Sequence, residues 1–210
     1  MTANSNDKRI ETLIAAEEWA KAQKVIEKQL AEEPDSHWLW SRLSCVKYEQ
    51  FDYKGALDAA HRALAIVPDC PLALWDQANA LDMLGRTKEA GLIYSRLLRR
   101  GFQEIKESDE DAEQCWEGEQ WTWALVVDCI FRIAGCLAKT GASDEAVACY
   151  QHFLFFLRHG VQGIYTIEDA LAALKKLVPA KEKVDREKAL KELETVKKQT
   201  KRLEKVLTHG

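Results

Sequence analysis

The chain has 210 residues, enough for one or two globular domains or a short repeat array, with 47% hydrophobic and 30% charged residues. Thirty Lys and Arg against 34 Asp and Glu leave a net charge of −4, which excludes a basic footprint for nucleic acid over the whole molecule. Ten Gly and four Pro are few, strand-like alternation is scarce, and Ala, Leu, Glu and Lys dominate, so the composition points to helices.

Met1 to Thr12 is polar and lacks the apolar core of a signal peptide. No uninterrupted run of 18 apolar residues occurs, so no membrane span is expected. The six cysteines (Cys45, Cys70, Cys115, Cys129, Cys136, Cys149) form no C-x-x-C pair. They read as reduced, mostly buried thiols in a cytoplasmic protein, without the close pairs of a structural zinc site.

The first predicted elements are helices over 7–16 and 19–33, the second with Trp19, Ala22, Val25, Ile26 and Leu30 at helical spacing. Pro34 follows where it cannot continue the helix. Helices over 37–50 and 54–66 come next, the first capped by Asp35 or Ser36. Small residues at Ala56, Ala60 and Ala63 let neighbouring helices approach closely, and Pro68 ends the pair. Helices over 71–84 and 87–100 repeat the design, with Pro71 in a first turn, Gly85 between them and an end near Gly101.

The segments Trp19-Ala-Lys-Ala22, Tyr53-Lys-Gly-Ala56 and Thr87-Lys-Glu-Ala90 place their last alanines 34 residues apart, as are Pro34 and Pro68. A fixed period of this size marks one supersecondary unit repeated. With Trp40-x-x-Leu43, Ala56, Ala63 and Pro68, then Gly85, Ala90 and Tyr94, the chain resembles a tetratricopeptide repeat protein over roughly residues 3–158. It departs from that family's pattern at Ser44 and Lys47, where the family favours Gly and Tyr.

A fourth echo, Ser143-Asp-Glu-Ala146, arrives 22 residues late and locates an insertion at about 102–123. Between Glu104 and Glu119 this insertion carries eight acidic residues and one basic one, Lys106, with Trp116, Trp121 and Trp123 in its second half. The fourth pair is predicted near 124–139 and 144–157, with Ile130, Ala134, Gly141, Tyr150 and Phe153 in register. Thr166-Ile-Glu-Asp169 has the form of a capping box opening a helix through Leu177. Residues 181–207 read as a long charged helix; from Lys175 to Gly210, twelve basic residues face six acidic ones.

The expected architecture is therefore all-α. It comprises a tetratricopeptide-like array of four hairpins over 1–160, interrupted by the acidic insertion, then a capping helix and a charged C-terminal helix over 161–210. The resemblance implies a right-handed superhelix whose first helices line a concave groove. Residues on those helices but off the core stripe become candidate binding residues: Trp38, Arg42 and Tyr48, then Trp75, Asn79 and Asp82, then Phe131 and Arg132. Ser41, Cys45, Leu72, Asp128 and Gly135 share those faces. Aromatic side chains and arginine dominate interface energetics, which singles out Trp38 and Trp75, although Trp38 also has the option of packing on the first unit.

Some tetratricopeptide proteins hold a partner's terminal carboxylate with basic and amide side chains. The matching positions here are Asp7, Glu11, Arg42, Leu72 and Asp76, of which only Arg42 is cationic, so the resemblance does not extend to that function. No glycine-rich phosphate loop, G-x-S-x-G or H-E-x-x-H is present, and no catalytic, cofactor or metal site is assigned. The expected role is non-enzymatic: an adaptor or scaffold binding a peptide or helix of a partner protein, with self-assembly as a homodimer through the C-terminal helix as the alternative. No nucleic-acid or membrane partner is expected.

Overall fold

Four left-handed residues mark the same position in four hairpins: Glu17 (φ 56°), Phe51 (φ 63°), Gly85 (φ 78°) and Gly141 (φ 89°). The first three lie 34 residues apart, and the fourth follows by 56. The next residue's amide in each case reaches back five residues, from Glu18 to the Leu13 carbonyl, Asp52 to Lys47, Arg86 to Leu81 and Ala142 to Leu137, at 2.9–3.0 Å. This bond satisfies a carbonyl that a helix end would leave orphaned. Its recurrence shows that one turn is used four times.

The structure is a computed structural model and describes residues 5–107 and 118–177. Among the described residues there are nine α-helices and no strand. They are α1 (Ser5–Ala15), α2 (Trp19–Glu32), α3 (His37–Glu49), α4 (Tyr53–Ile66), α5 (Pro71–Met83), α6 (Thr87–Glu107), α7 (Glu119–Lys139), α8 (Ser143–Arg158) and α9 (Ile167–Leu177). The predicted insertion core, with Cys115 and Trp116, and the predicted helix over 181–207 lie outside the described residues. The chain divides into two compact units, 1–122 and 123–210.

In the first unit each helix packs on the next, and α3 also packs directly on α5. The phased alanines explain the closeness. Ala22, Ala56 and Ala90 are fully buried, as is Ala146 in the second unit. Each closes the first turn of a second helix, where a small side chain suits the close approach of neighbouring helices. Tyr94 and Leu97, and Tyr150 and Phe153, are buried one and two turns later. Ser36 caps α3, its hydroxyl accepting from the Leu39 amide at 3.4 Å.

The two departures from the repeat pattern have local partners. Ser44 is fully buried, and its hydroxyl donates to the Ala56 carbonyl of α4 at 2.8 Å, so the side chain that replaces a glycine ties the hairpin together. Lys47 reaches across the turn to Asp52 Oδ2 at 3.0 Å. Asp52 also accepts from the Gly55 amide, and this bond, followed by Lys47, lowers its pKa.

Two boundaries differ from the expectation. Instead of ending near Gly101, α6 runs on to Glu107. Gly101 is itself buried, Phe102 and Ile105 continue the half-buried stripe begun at Leu98, and Arg100 pairs with Glu104 at 3.0 Å one turn on. The start of α7 comes at Glu119 rather than near 124. By length and mean hydropathy α7 is long and apolar enough to cross a membrane, with half of its most apolar window buried in the fold. Asp128 and Arg132 interrupt its apolar run in the sequence.

In the second unit α8 packs on α9, and aromatic side chains of α8 meet α7. The capping box is present with Asp in the reciprocal role. The Asp169 amide donates to Thr166 Oγ1 at 3.2 Å, and the Thr166 amide donates to Asp169 Oδ2 at 2.8 Å.

Candidate functional site

The first helices of the first unit bring a charged cluster together around Cys45, on the face of α3 that also carries Trp38 and Arg42. Helical spacing aligns these residues: Trp38, Arg42 and Cys45 recur at intervals of four and three. Arg42 Nε lies 2.9 Å from Glu11 Oε1 of α1, an ion pair without the alignment of a hydrogen bond. The Arg42 guanidinium also sits 5.5 Å from the Trp38 ring centre, within cation–π range. Asp76 of α5 faces the same point. Burial pushes its carboxyl up to about 7, and Arg42 opposes that rise without cancelling it. The Cys45 thiol is driven up to about 12, by burial first and then by the negative field of Asp76, with Glu49 and Glu11 adding and Arg42 opposing. That thiol stays protonated and is a poor nucleophile.

Trp38 is half-buried against the core cluster of Ile10, Ala22, Ile26, Leu39 and Leu43. Its ring thus packs on the first hairpin while Arg42 covers part of its face. The remaining aromatic candidates sit in intramolecular contacts. Tyr48 meets Tyr53 edge-on at 5.4 Å across the α3–α4 turn. Trp75 meets the buried Tyr94 ring edge-on at 5.4 Å. Asn79 Oδ1 accepts from the Tyr94 hydroxyl at 2.6 Å. Asp82 is buried and accepts from the Thr87 hydroxyl at 3.1 Å, at the turn into α6.

In the second unit the equivalent face of α7 is covered by the chain itself. Asp128 is buried, and its two carboxylate oxygens accept from the Ile164 amide at 2.9 and 3.0 Å. Oδ1 also accepts from the Tyr165 amide at 3.3 Å. The Tyr165 ring stacks on Phe131 at 4.1 Å, nearly parallel. Phe131 further meets Tyr150 at 5.3 Å and Phe153 at 5.1 Å. Gly163 passes so close that a Cβ there would stand 2.3 Å from Asp128 Oδ1. Burial lifts the Asp128 carboxyl to about 6, against the pull of the two backbone amides. Arg132, half-buried beside this contact, opposes the upward pressure on the Cys129 thiol.

The structure thus joins Trp38 and Arg42 in one site and distributes Tyr48, Trp75, Asn79, Asp82, Phe131 and Arg132 among turns and hairpin interiors. Glu11 and Asp76 belong with Trp38 and Arg42. Their signal in the sequence was their register, one repeat apart from groove positions of α3. The segment 161–166 had no periodic signal at all. Among the described residues no three His, Cys, Asp or Glu side chains group as metal ligands. His159 places Nδ1 2.8 Å from the Phe155 carbonyl. No protein-family model matches the chain, and no curated protein is similar to it.

Proposed function

We propose that the chain is a non-enzymatic adaptor or scaffold that binds a segment of a partner protein on the face formed by α1, α3 and α5. The observation that carries this reading is the convergence of Glu11, Trp38, Arg42 and Asp76 from three first helices onto one half-exposed patch. Trp38 also packs on the core of the first hairpin, which fixes the floor of that patch. A rigid floor of stacked helices suits an extended peptide or a helix laid across it. On this reading the hairpins form a tetratricopeptide-like superhelix, α9 caps its end, and the free thiols fit a reducing compartment such as the cytoplasm.

The test is selection of a displayed random peptide library on the immobilised full-length chain. Synthetic versions of the selected peptides are then titrated by fluorescence anisotropy. The reading expects saturable binding that weakens about tenfold or more for Trp38→Ala and Arg42→Ala, the range of an interface anchor. Circular dichroism confirms that each variant is folded. Absence of any selected peptide, or binding indifferent to Arg42 in a folded variant, refutes it.

A further inference from the structure

We infer that a cavity walled by α6, α5 and the turn between α4 and α5 binds the phosphate group of a small phosphomonoester. Its lining residues are none of those that form the partner-binding face, so the site stands independently of that reading.

Helical register builds the basic wall. Arg96, Arg99, Arg100 and Gln103 of α6 recur at i, i+3, i+4 and i+7, so they share one face of that helix. All four line a cavity of about 240 Å³, which Asp69 of the turn before α5 and Leu74 of α5 help to close. Two of the three guanidiniums each have one carboxylate. Arg96 pairs with Asp69, and Arg100 Nε lies 3.0 Å from Glu104 Oε1. Arg99 is exposed and in no ion pair among the described residues, so the excess positive charge of the cavity rests on it. The Arg96–Asp69 pair is itself about half exposed, the kind of contact that contributes little and exchanges readily for a stronger anion.

The chemistry of the lining selects the ligand. Guanidinium forks match anions with several oxygens, and a phosphomonoester brings three terminal oxygens and about 1.5–2 negative charges at neutral pH. A carboxylate brings two oxygens and one charge, which Asp69 already supplies. An apolar ligand would desolvate the Arg99 guanidinium without pairing it. Leu74 and the buried Leu97 offer an apolar floor to the carbon body of the ligand, and the Gln103 amide both donates and accepts. The volume lies below the roughly 300–1,000 Å³ of sites that enclose drug-sized ligands, so the ligand is small. A long polyanion is disfavoured because the chain as a whole carries a charge of −4.

The experiment titrates the full-length ¹⁵N-labelled chain with O-phosphoserine and glycerol 3-phosphate at constant ionic strength, with serine and glycerol as the phosphate-free controls. Amide chemical shifts are the readout. The expected result is saturable shifts at Asp69 and over residues 96–103 that the controls do not produce. Arg99→Gln should weaken binding about tenfold, the scale of one charge-assisted hydrogen bond. Asp69→Asn should strengthen it, because the competing carboxylate is gone and Arg96 is released. Mere loss of structure would move both variants in the same direction. A phosphoserine peptide that binds at least about tenfold more tightly than free O-phosphoserine assigns the phosphate to a partner protein, and equal affinities assign it to a free solute; both outcomes support the site. Shifts that the controls reproduce, shifts scattered away from α6 and Asp69, or affinities indifferent to Arg99→Gln and Asp69→Asn overturn it.

Discussion

Replacing Asp128 by asparagine separates the charge of this residue from its hydrogen bonding. In the folded protein burial lifts the carboxyl from 3.8 to about 6, and the amides of Ile164 and Tyr165 pull it only part of the way back. Between those values the folded chain holds the proton more tightly than the unfolded chain does. The Asp128 contribution to stability therefore falls as pH rises through that interval and is level above it. The full change is about 3 kcal/mol, at about 1.4 kcal/mol for each pKa unit. Asparagine does not ionise. Its Oδ1 still accepts from a backbone amide, while its NH2 group faces one that the second oxygen had served, a loss of about 1–3 kcal/mol that is the same at every pH. The difference between wild type and Asp128→Asn should thus move by about 3 kcal/mol, in favour of the variant, between about pH 4 and about pH 7. Urea unfolding of the full chain, followed by far-ultraviolet circular dichroism at steps across this range, reads it as a relative midpoint displacement of about 1–3 M. Other titrating groups are shared by the two proteins and cancel. Stability curves that run parallel from the acid to the neutral end refute the burial argument.

Gly163→Ala sets a methyl group 2.3 Å from Asp128 Oδ1, so the segment has to move. The expected loss is about 1–3 kcal/mol in the same urea assay, and it should shrink when Asp128 is also replaced by alanine. At the repeated turn, Gly85→Ala forces a side chain onto φ 78° and Phe51→Gly relieves one at φ 63°. The first should lower the melting free energy and the second raise it, each by about 1 kcal/mol, and changes of the same sign would contradict the turn analysis. Tyr94→Phe removes the 2.6 Å bond to Asn79 inside the third hairpin. It should cost about 1 kcal/mol while leaving the edge-on contact with Trp75 in place, so an unchanged urea midpoint would show that the bond contributes nothing net.

The hairpins were legible because their constraints are local and periodic. Alanine at 22, 56, 90 and 146 is demanded by close helix approach, and a left-handed turn is demanded five residues earlier in each case. Two of those turns use glycine and two do not, so the glycines alone would have revealed half of them. The site was legible in part. Helical spacing assigns a face to each side chain but does not say what covers that face. Trp75 and Phe131 occupy the same register 56 residues apart, and both rings lean edge-on against the tyrosine of their own hairpin, Tyr94 and Tyr150. Either aromatic reads as a free anchor until its neighbour's ring is placed. The Asp128 contact joins residues 36 positions apart through backbone amides, which leave no mark in a side-chain pattern.

Register also distinguishes the second hairpin from the third and fourth. Ser41 holds the position that Trp75 and Phe131 fill with a ring, and the residue facing it in register is Ala60 rather than a tyrosine. That hairpin meets its packing needs with two small side chains, and the polar one has no bond to make. One position further along, the register reads Lys8, Arg42, Asp76 and Arg132, so the third hairpin alone places an acid there. Arg42 opposes the upward pressure of burial on Asp76 without cancelling it. In the fourth hairpin the same face is closed by the segment that Asp128 holds, so Arg132 borders a contact that is already made. The acid–base patch of Glu11, Arg42 and Asp76 draws on α1, α3 and α5 of the first unit.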